Sequence, residues 1–164
     1  MNNTEVKDAL DSCWADLSAV KLLIDGLGIT SKIVPYLTKY AVIRACGSIE
    51  QAFKAVIADH CAYRSKKQVK RFLDKRVRSN SANPSYSKIC EILHDFDADW
   101  KTSFKESVNA DPDKARLVTS LQSLVDARND FAHGGNPSAS IADVLSYFDD
   151  ARQVIVKLDI VVAT

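Results

Sequence analysis

The sequence predicts an all-α fold, an antiparallel helical bundle with a four-helix core and short additional helices. Apolar residues recur at helical spacing through almost all of the 164-residue chain. Five glycines and four prolines are few for this length, which favours long helices joined by few turns. The sequence has no long alternating strand pattern, no repeat and no inter-domain linker. We therefore expect residues 1–164 to form a single domain.

Two long helices are predicted in the first part of the chain. The first runs from Thr4, as its N-cap, to about Asp25, and Gly26-Leu27-Gly28 ends it. The second runs from about Pro35, which a first helical turn tolerates, to Tyr63. Because this second helix is the longest and carries one continuous apolar stripe, we expect it to be the spine of the fold.

The middle of the chain is predicted to contain shorter helices. A basic helix runs from about Lys66 to Arg78, and the polar stretch Ser79 to Ser85 is typical of a loop. A further helical segment runs from about Tyr86 to Val108, and we expect a break near Asp97-Ala98-Asp99.

Two helices complete the predicted bundle. Asp111-Pro112 indicates a helix start, with an N-cap followed by proline at the first helical position. This helix is expected to end at Gly134-Gly135. Ser140 and Asp143 resemble a capping box that opens the last helix, from about Ile141 to Val162.

Composition excludes several function classes. The formal net charge of +1 creates no global field toward nucleic acid or membranes. The four cysteines lack C-x-x-C spacing and a complementary pair of histidines, so we expect reduced thiols, no metal site and no cofactor. The N-terminus does not resemble a signal peptide, and no apolar run is long enough to span a membrane. These features indicate a cytoplasmic protein.

One segment departs from this even charge balance. Between Arg64 and Arg78 the chain carries eight basic residues against the single acid Asp74, a local charge of +7. Such a surface is suited to binding the RNA backbone with salt-sensitive affinity. The candidate contacts are Lys66, Lys67, Lys70 and Arg71. The alternative is a solvated helix face that pairs with acidic surface.

The predicted helix before Gly134-Gly135 carries the residues suited to chemistry. Arg128 lies at the centre of an apolar stripe, where an arginine is costly unless it is paired or exposed at an interface. It either snorkels or pairs with a carboxylate, or else it grips a phosphate with its planar fork. His133 lies in the last turn, either as a general acid or base or as a C-cap histidine. Five residues turn through about 140° in a regular helix, so these side chains do not share a face. They converge only through the arginine's length, a loosened last turn or a second copy of the chain.

The segment Arg128-Asn129-Asp130-Phe131-Ala132-His133-Gly134 resembles the R-x4-6-H motif of the HEPN superfamily. These helical-bundle domains are found in toxin–antitoxin, abortive-infection and CRISPR-linked proteins. The asparagine after the arginine and the His-Gly at the helix end match the preferences of the family. The segment Tyr40 to Phe53 also looks like the second helix of such domains. The chain is most similar to the stand-alone bacterial HEPN group named for its association with RiboL-PSP proteins.

This resemblance implies an RNA-cutting enzyme. Active members of the family are metal-independent endoribonucleases that dimerise, so that two motif copies face one composite cleft. It implies that His133 transfers a proton as a 2′-hydroxyl attacks the adjacent phosphorus. Arg128 would hold the phosphate, and Asn129 would position the pair. The product would carry a 2′,3′-cyclic phosphate, DNA would be a poor substrate, and an antitoxin or a nucleotidyltransferase is a candidate partner.

Further residues are candidates for substrate binding. Arg44 shares the polar face of the second helix with Ser48 and Gln51, and it either lines the cleft or is a solvated surface arginine. Asp130 is a candidate from its place inside the motif. His60 lies on the apolar stripe and is interpreted as a structural or capping histidine.

Two other functions remain open at this point. A HEPN module without catalytic activity would bind RNA or a partner protein and serve assembly. A helical scaffold or antitoxin-like partner would have no role with RNA, and in that case substitution of Arg128 or His133 would affect only stability.

Overall fold

A computed structural model describes residues 1–28, 30–135 and 138–164, and in these ranges the chain is helical without a β-strand. The α-helices are α1 (Thr4–Leu27), α2 (Val34–Ala62), α3 (Lys67–Leu73), α4 (Tyr86–Phe96), α5 (Ala98–Asn109), α6 (Lys114–Ala132) and α7 (Ile141–Val162). The all-α prediction is confirmed.

The four long helices, α1, α2, α6 and α7, pack against one another as the core of the bundle. Arg152 of α7 pairs with Asp11 of α1, and the Asp159 carboxylate accepts a hydrogen bond from the backbone of Asn3. Residue numbers therefore rise along α1 as they fall along α7, so these helices are antiparallel. Polar contacts show the same reversal between α6 and α7 and between α1 and α2: Lys157–Asp111 and Arg116–Asp150, and Asn3–Asp59 and Arg44–Asp16.

The apolar faces of the helices form one core. Fully buried side chains from five different helices include Leu17, Phe53, Phe104, Leu121 and Phe148. Burying each such side chain contributes about 1.5–3 kcal/mol of hydrophobic stabilisation. The shorter α4 and α5 pack together and cover α6 and α7, so they extend the core sideways.

Several local predictions are confirmed. The break between α4 and α5 occurs at Asp97, whose carboxylate accepts a hydrogen bond from the backbone N–H of Asp99 at 2.7 Å and so caps α5. The capping box of α7 is complete, because Ser140 and Asp143 bond to each other's backbone N–H groups.

The starts of two helices differ from prediction. Asn3, rather than Thr4, caps α1, and its Oδ1 accepts a hydrogen bond from Val6 N at 3.0 Å. Helix α6 begins at Lys114, three residues after the predicted N-cap Asp111. One oxygen of the Asp111 carboxylate accepts from the backbone of Asp113, and the other pairs with Lys157 of α7, so Asp111 caps the turn before the helix and also makes a tertiary contact.

The predicted basic helix also divides. It is α-helical only as far as Leu73, and residues Asp74–Arg78 form a π-helical turn. The Arg78 guanidinium pairs with Asp74 one turn earlier and with Asp59 of α2. These two ion pairs hold the wider turn against the end of α2.

None of the helices within the described ranges has the combination of length and apolarity that crossing a membrane requires. All four cysteines are free thiols, and Cys13, Cys46 and Cys90 are buried.

Candidate active site

The carboxyl end of α6 is fixed by two glycines. Gly134 has a φ of +82°, and its N–H donates to the carbonyl of Phe131 at 3.0 Å. The Gly135 N–H donates to the carbonyl of Asp130 at 2.8 Å, and together these bonds form a Schellman motif. A Cβ atom on Gly135 would lie 2.9 Å from the same carbonyl oxygen, so only glycine fits there without a shift of the backbone. The motif makes His133 the C-cap residue of the helix.

The His133 side chain is exposed at this helix end. Its backbone N–H donates to the carbonyl of Asn129 at 3.0 Å, so the main chain at this residue is held by the helix. Its imidazole has no hydrogen-bond partner within the part of the chain that the structure describes. Both ring nitrogens are therefore accessible to solvent or to a ligand, as proton transfer requires.

Arg128 is half-buried and lies against α2 and the loop between the π-helical turn and α4. Its Nη1 donates to Oδ1 of Asn83 at 3.3 Å and to Oδ1 of Asn129 at 3.2 Å. Burial raises the pKa of the Cys46 thiol of α2 to about 11, and the positive charge of Arg128 acts in the opposite direction. Both hydrogen-bond acceptors of Arg128 are neutral amides.

The neutral partners distinguish Arg128 from the other half-buried arginines. Each of the others pairs with a carboxylate: Arg44 with Asp16, Arg78 with Asp59 and Arg152 with Asp11. No carboxylate among the described residues forms an ion pair with Arg128. Its positive charge is oriented but not neutralised, and this is the state that binds a phosphate.

A second cation lies on the same side of α2. Lys39 is half-buried, and its Nζ lies 5.3 Å from the centroid of the Phe131 ring, inside the motif. Lys39 also lacks a carboxylate partner within the described ranges. The α2–α6 seam therefore carries two positive charges that have no carboxylate partner in the part of the chain that the structure describes.

Sequence reasoning did not identify Asn83 or Lys39. Asn83 lies 45 positions before Arg128, in a stretch that local pattern describes only as a loop. Lys39 lies in a helix whose sequence does not indicate which neighbour that face contacts. The only available signal was the cost of placing Arg128 on an apolar stripe, which requires a polar partner of unknown identity.

The structure does not bring Arg44 to the motif. Its guanidinium lies 3.0 Å from the Asp16 carboxylate, on the side of α2 that faces α1. As predicted, Arg44, Ser48 and Gln51 share one face, which lines a groove between α1 and α2. The expectation that Arg44 lines the same cleft as Arg128 is therefore not met within one chain, because the two residues lie on opposite flanks of α2.

Asp130 also lies apart from Arg128. Its side chain is exposed and lines a shallow cleft between α6 and α7 that Asp126, Asp143 and Tyr147 also line. This cleft is acidic, so it would repel a phosphate rather than bind one.

The four basic candidates of α3, namely Lys66, Lys67, Lys70 and Arg71, are all exposed. The helix contacts α2 and the π-helical turn, and Leu73 is its buried anchor. Phe72 and Val69 are exposed beside the basic residues. The π-helical turn and the following loop connect this basic surface to Asn83, and hence to Arg128.

His60 has a structural contact. Its ring meets the Trp100 ring edge-on, with centroids 5.3 Å apart. Within the described ranges, no group of three or more histidine, cysteine or acidic side chains is arranged to hold a metal ion.

The comparison with protein families gives one match, to the family described as RiboL-PSP-HEPN, over residues 8–164. No curated protein and no solved structure matches the chain. The matched residues include most of α1, all of the later helices and the whole segment from Arg128 to His133.

Proposed function

Because the chain belongs to the RiboL-PSP-HEPN family, we propose that it is a metal-independent endoribonuclease of a toxin–antitoxin or antiphage defence system, acting in the cytoplasm. The observation that carries this proposal is the environment of Arg128. Two amide oxygens orient its guanidinium without neutralising it, and the imidazole of His133 is exposed at the end of the same helix.

Phosphodiester cleavage by this site needs only groups of the protein and of RNA. His133 accepts the proton of a ribose 2′-hydroxyl, and the 2′-oxygen attacks the adjacent phosphorus as the bond from phosphorus to the 5′-oxygen breaks. The departing 5′-oxygen takes up the proton that His133 accepted, directly or through water, so the products are a 2′,3′-cyclic phosphate and a 5′-hydroxyl. Arg128 binds the non-bridging oxygens and stabilises the charge that develops on them, and Asn129 orients it. DNA lacks the nucleophile.

We propose that the working site forms between two copies of the chain. Arg128 and His133 share no hydrogen bond in the described structure, and one is half-buried while the other is exposed. A second copy would supply the missing neighbours. Tyr40 and Ile43 follow Lys39 on α2 and leave 50% and 46% of their surfaces exposed. Ile43 lines the groove between α1 and α2, and exposed apolar residues on this helix suit a contact between copies. The purified chain should be a dimer at micromolar concentration by size-exclusion chromatography with light scattering, and a monomer would contradict the composite site.

The exposed basic residues of α3 are proposed to bind the RNA backbone outside the site. Lys66, Lys67, Lys70 and Arg71 have no carboxylate partner among the described residues and extend along one short helix. Such contacts are independent of base sequence, and they make affinity fall steeply with salt.

The proposal is tested by expressing the wild type, Arg128→Ala and His133→Ala in cells, recording growth, and examining total RNA on a gel. Removing a group that stabilises transition-state charge lowers a rate by about 100- to 1,000-fold. We expect growth arrest and RNA fragments with the wild type alone. Arg152→Ala is the matched control, because it removes a half-buried arginine that is neutralised by Asp11, and it should remain toxic.

A different result would favour a second function. If all four proteins are harmless and RNA stays intact, while the purified wild type binds RNA and Arg128→Ala does not, the chain is a HEPN module that binds RNA without cutting it. An antitoxin or a nucleotidyltransferase remains the proposed protein partner in either case.

A further inference from the structure

We propose that Asn83 is a positioning residue for Arg128, and that an ion pair on α2 holds the Asn83 loop in place. The loop consists of residues 79–85, between the π-helical turn and α4. Its effect on cleavage rests on the proposed nuclease function, whereas its effect on the Arg128 side chain does not.

The loop is bound to α2 through Glu50 and Lys54. Lys54 Nζ lies 2.9 Å from Oε1 of Glu50 and donates to the carbonyl of Asn80, also at 2.9 Å. The same Glu50 oxygen accepts from the backbone N–H of Ala82 at 2.9 Å. Glu50, Lys54 and two backbone groups of the loop therefore form one closed set of hydrogen bonds, which we name the α2 clasp.

The clasp is buried, which is unusual for charged residues. The side chain of Lys54 is 3% exposed and that of Glu50 is 14% exposed. A buried ion pair is tolerated only when hydrogen bonds satisfy the remaining polar atoms, and here the loop backbone supplies them. Without the loop, the lysine and the glutamate would lose these partners, so the clasp favours a single position for the loop.

Asn83 directly follows the clasp, and the residues before and after it along the chain are held in place. Ala82 and Pro84 are buried, and the Ser85 side chain caps α4 by accepting from Lys88 N at 3.2 Å. The Asn83 amide is consequently presented to Arg128 by a fixed backbone rather than by a mobile loop. Its Oδ1 accepts from Nη1 at 3.3 Å, and this contact joins the loop to the motif.

The chemical type of residue 83 fits a positioning role. An arginine side chain has several rotatable bonds and loses conformational entropy when it is fixed. An amide oxygen restricts it without cancelling its charge, whereas a carboxylate at the same place would form an ion pair and compete with phosphate. Asn83 therefore directs the guanidinium while leaving it available to an anion.

The first test measures the Arg128 side chain itself. Nitrogen-15 NMR of the full chain reports how fast the guanidinium rotates, and Arg128→Lys identifies the signal by its loss. We expect Asn83→Ala to accelerate this rotation and Asn83→Asp to slow it. Asn80→Ala is the matched control, because it removes an amide side chain from the same loop but keeps the carbonyl that Lys54 binds, and it should leave the rotation unchanged.

The second test uses cleavage of an RNA oligonucleotide. A lost hydrogen bond to a charged group corresponds to about a 10- to 100-fold effect, and we expect Asn83→Ala to lower kcat by this factor with little change in KM. Asn83→Asp should mainly raise KM, because it pairs with the guanidinium that binds substrate. If Asn83 had only a structural role, both variants would have a lower melting temperature, and they would not affect kcat and KM separately in this way.

The outcomes separate the two proposals. If Asn83→Ala leaves both guanidinium rotation and kcat at wild-type values, the positioning role is overturned. If the wild type cuts no RNA but Asn83→Ala accelerates the rotation, the positioning role stands and the nuclease proposal fails.

Discussion

Arg44 and Arg128 are both half-buried and lie on the two flanks of α2, but among the described residues only Arg44 pairs with a carboxylate. On the flank toward α1, Arg44 lies 3.0 Å from the Asp16 carboxylate and its charge is neutralised. On the flank toward α6, Arg128 donates to the amide oxygens of Asn83 and Asn129, and no carboxylate in the described ranges pairs with it. On the α1 flank the ion pair joins two helices, whereas on the α6 flank the charge of Arg128 is available to an anion.

This difference shows that burial and residue type do not identify a binding arginine. The deciding feature is the partner, because a carboxylate at contact distance occupies the same fork that a phosphate would use. On the α6 flank the positive charge is reinforced by Lys39 over the Phe131 ring. The candidate site therefore lies on the α6 side of α2, although both sides of this helix carry polar residues.

Among the variants that compare the two flanks of α2, Arg128→Lys is expected to have the largest effect on cleavage. This change keeps the charge but removes the planar fork that two amides orient, so cleavage should fall by about 10-fold or more. The measurement is the rate of RNA cleavage by the purified protein. The matched control is Arg44→Lys, in which the lysine can still pair with Asp16, and its rate should stay near that of the wild type. Equal losses in the two variants would contradict the distinction between the flanks.

A smaller effect is expected from Lys39→Gln. It removes the second uncompensated charge of the α6 flank, so an RNA with 2′-deoxy substitutions, which cannot be cut, should bind several-fold more weakly. The slope of log affinity against log salt should fall by about 0.7 if Lys39 contacts one phosphate. Fluorescence anisotropy at several salt concentrations measures both quantities. The control is Lys32→Gln, which removes the same charge from an exposed position before α2. An equal loss of affinity in this variant would mean that Lys39 contributes no more than any other surface charge.

The smallest effect is expected from Arg44→Ala. The ion pair with Asp16 is about one-third exposed on the arginine side, and such pairs contribute roughly 0.2–1 kcal/mol after screening by solvent. Chemical denaturation should show a loss of free energy of unfolding within that range, with cleavage unchanged. A loss of cleavage without a loss of stability would indicate that Arg44 contacts the substrate.

Local features of the fold were predictable because they depend on residues close together in sequence. The helix break at Asp97 and the Ser140–Asp143 capping box follow from a side chain bonding to backbone two or three residues away. The motif from Arg128 to His133 could be recognised for the same reason. The glycines after it are explained by the Schellman motif.

The sequence did not predict contacts that depend on a distant residue. Asp111 was predicted to cap α6, and one of its carboxylate oxygens does accept from the backbone of Asp113, but α6 begins later, at Lys114. The other oxygen pairs with Lys157 of α7 at 2.8 Å. Arg44 was predicted either to line the cleft or to be a surface arginine, and its guanidinium pairs with Asp16 of α1. In each case a charged group has several sterically allowed partners, and helix packing decides which distant one it meets.

By itself the sequence determined the helices, their amphipathic faces and the position of the motif, because hydrogen bonding within a helix and apolar periodicity are local. Only the tertiary structure decided which half-buried arginine has no carboxylate partner among the described residues. Asn83 reaches Arg128 across 45 residues, through a loop that Glu50 and Lys54 hold in place. Such contacts depend on how helices distant in sequence pack together, and no short-range pattern encodes that arrangement.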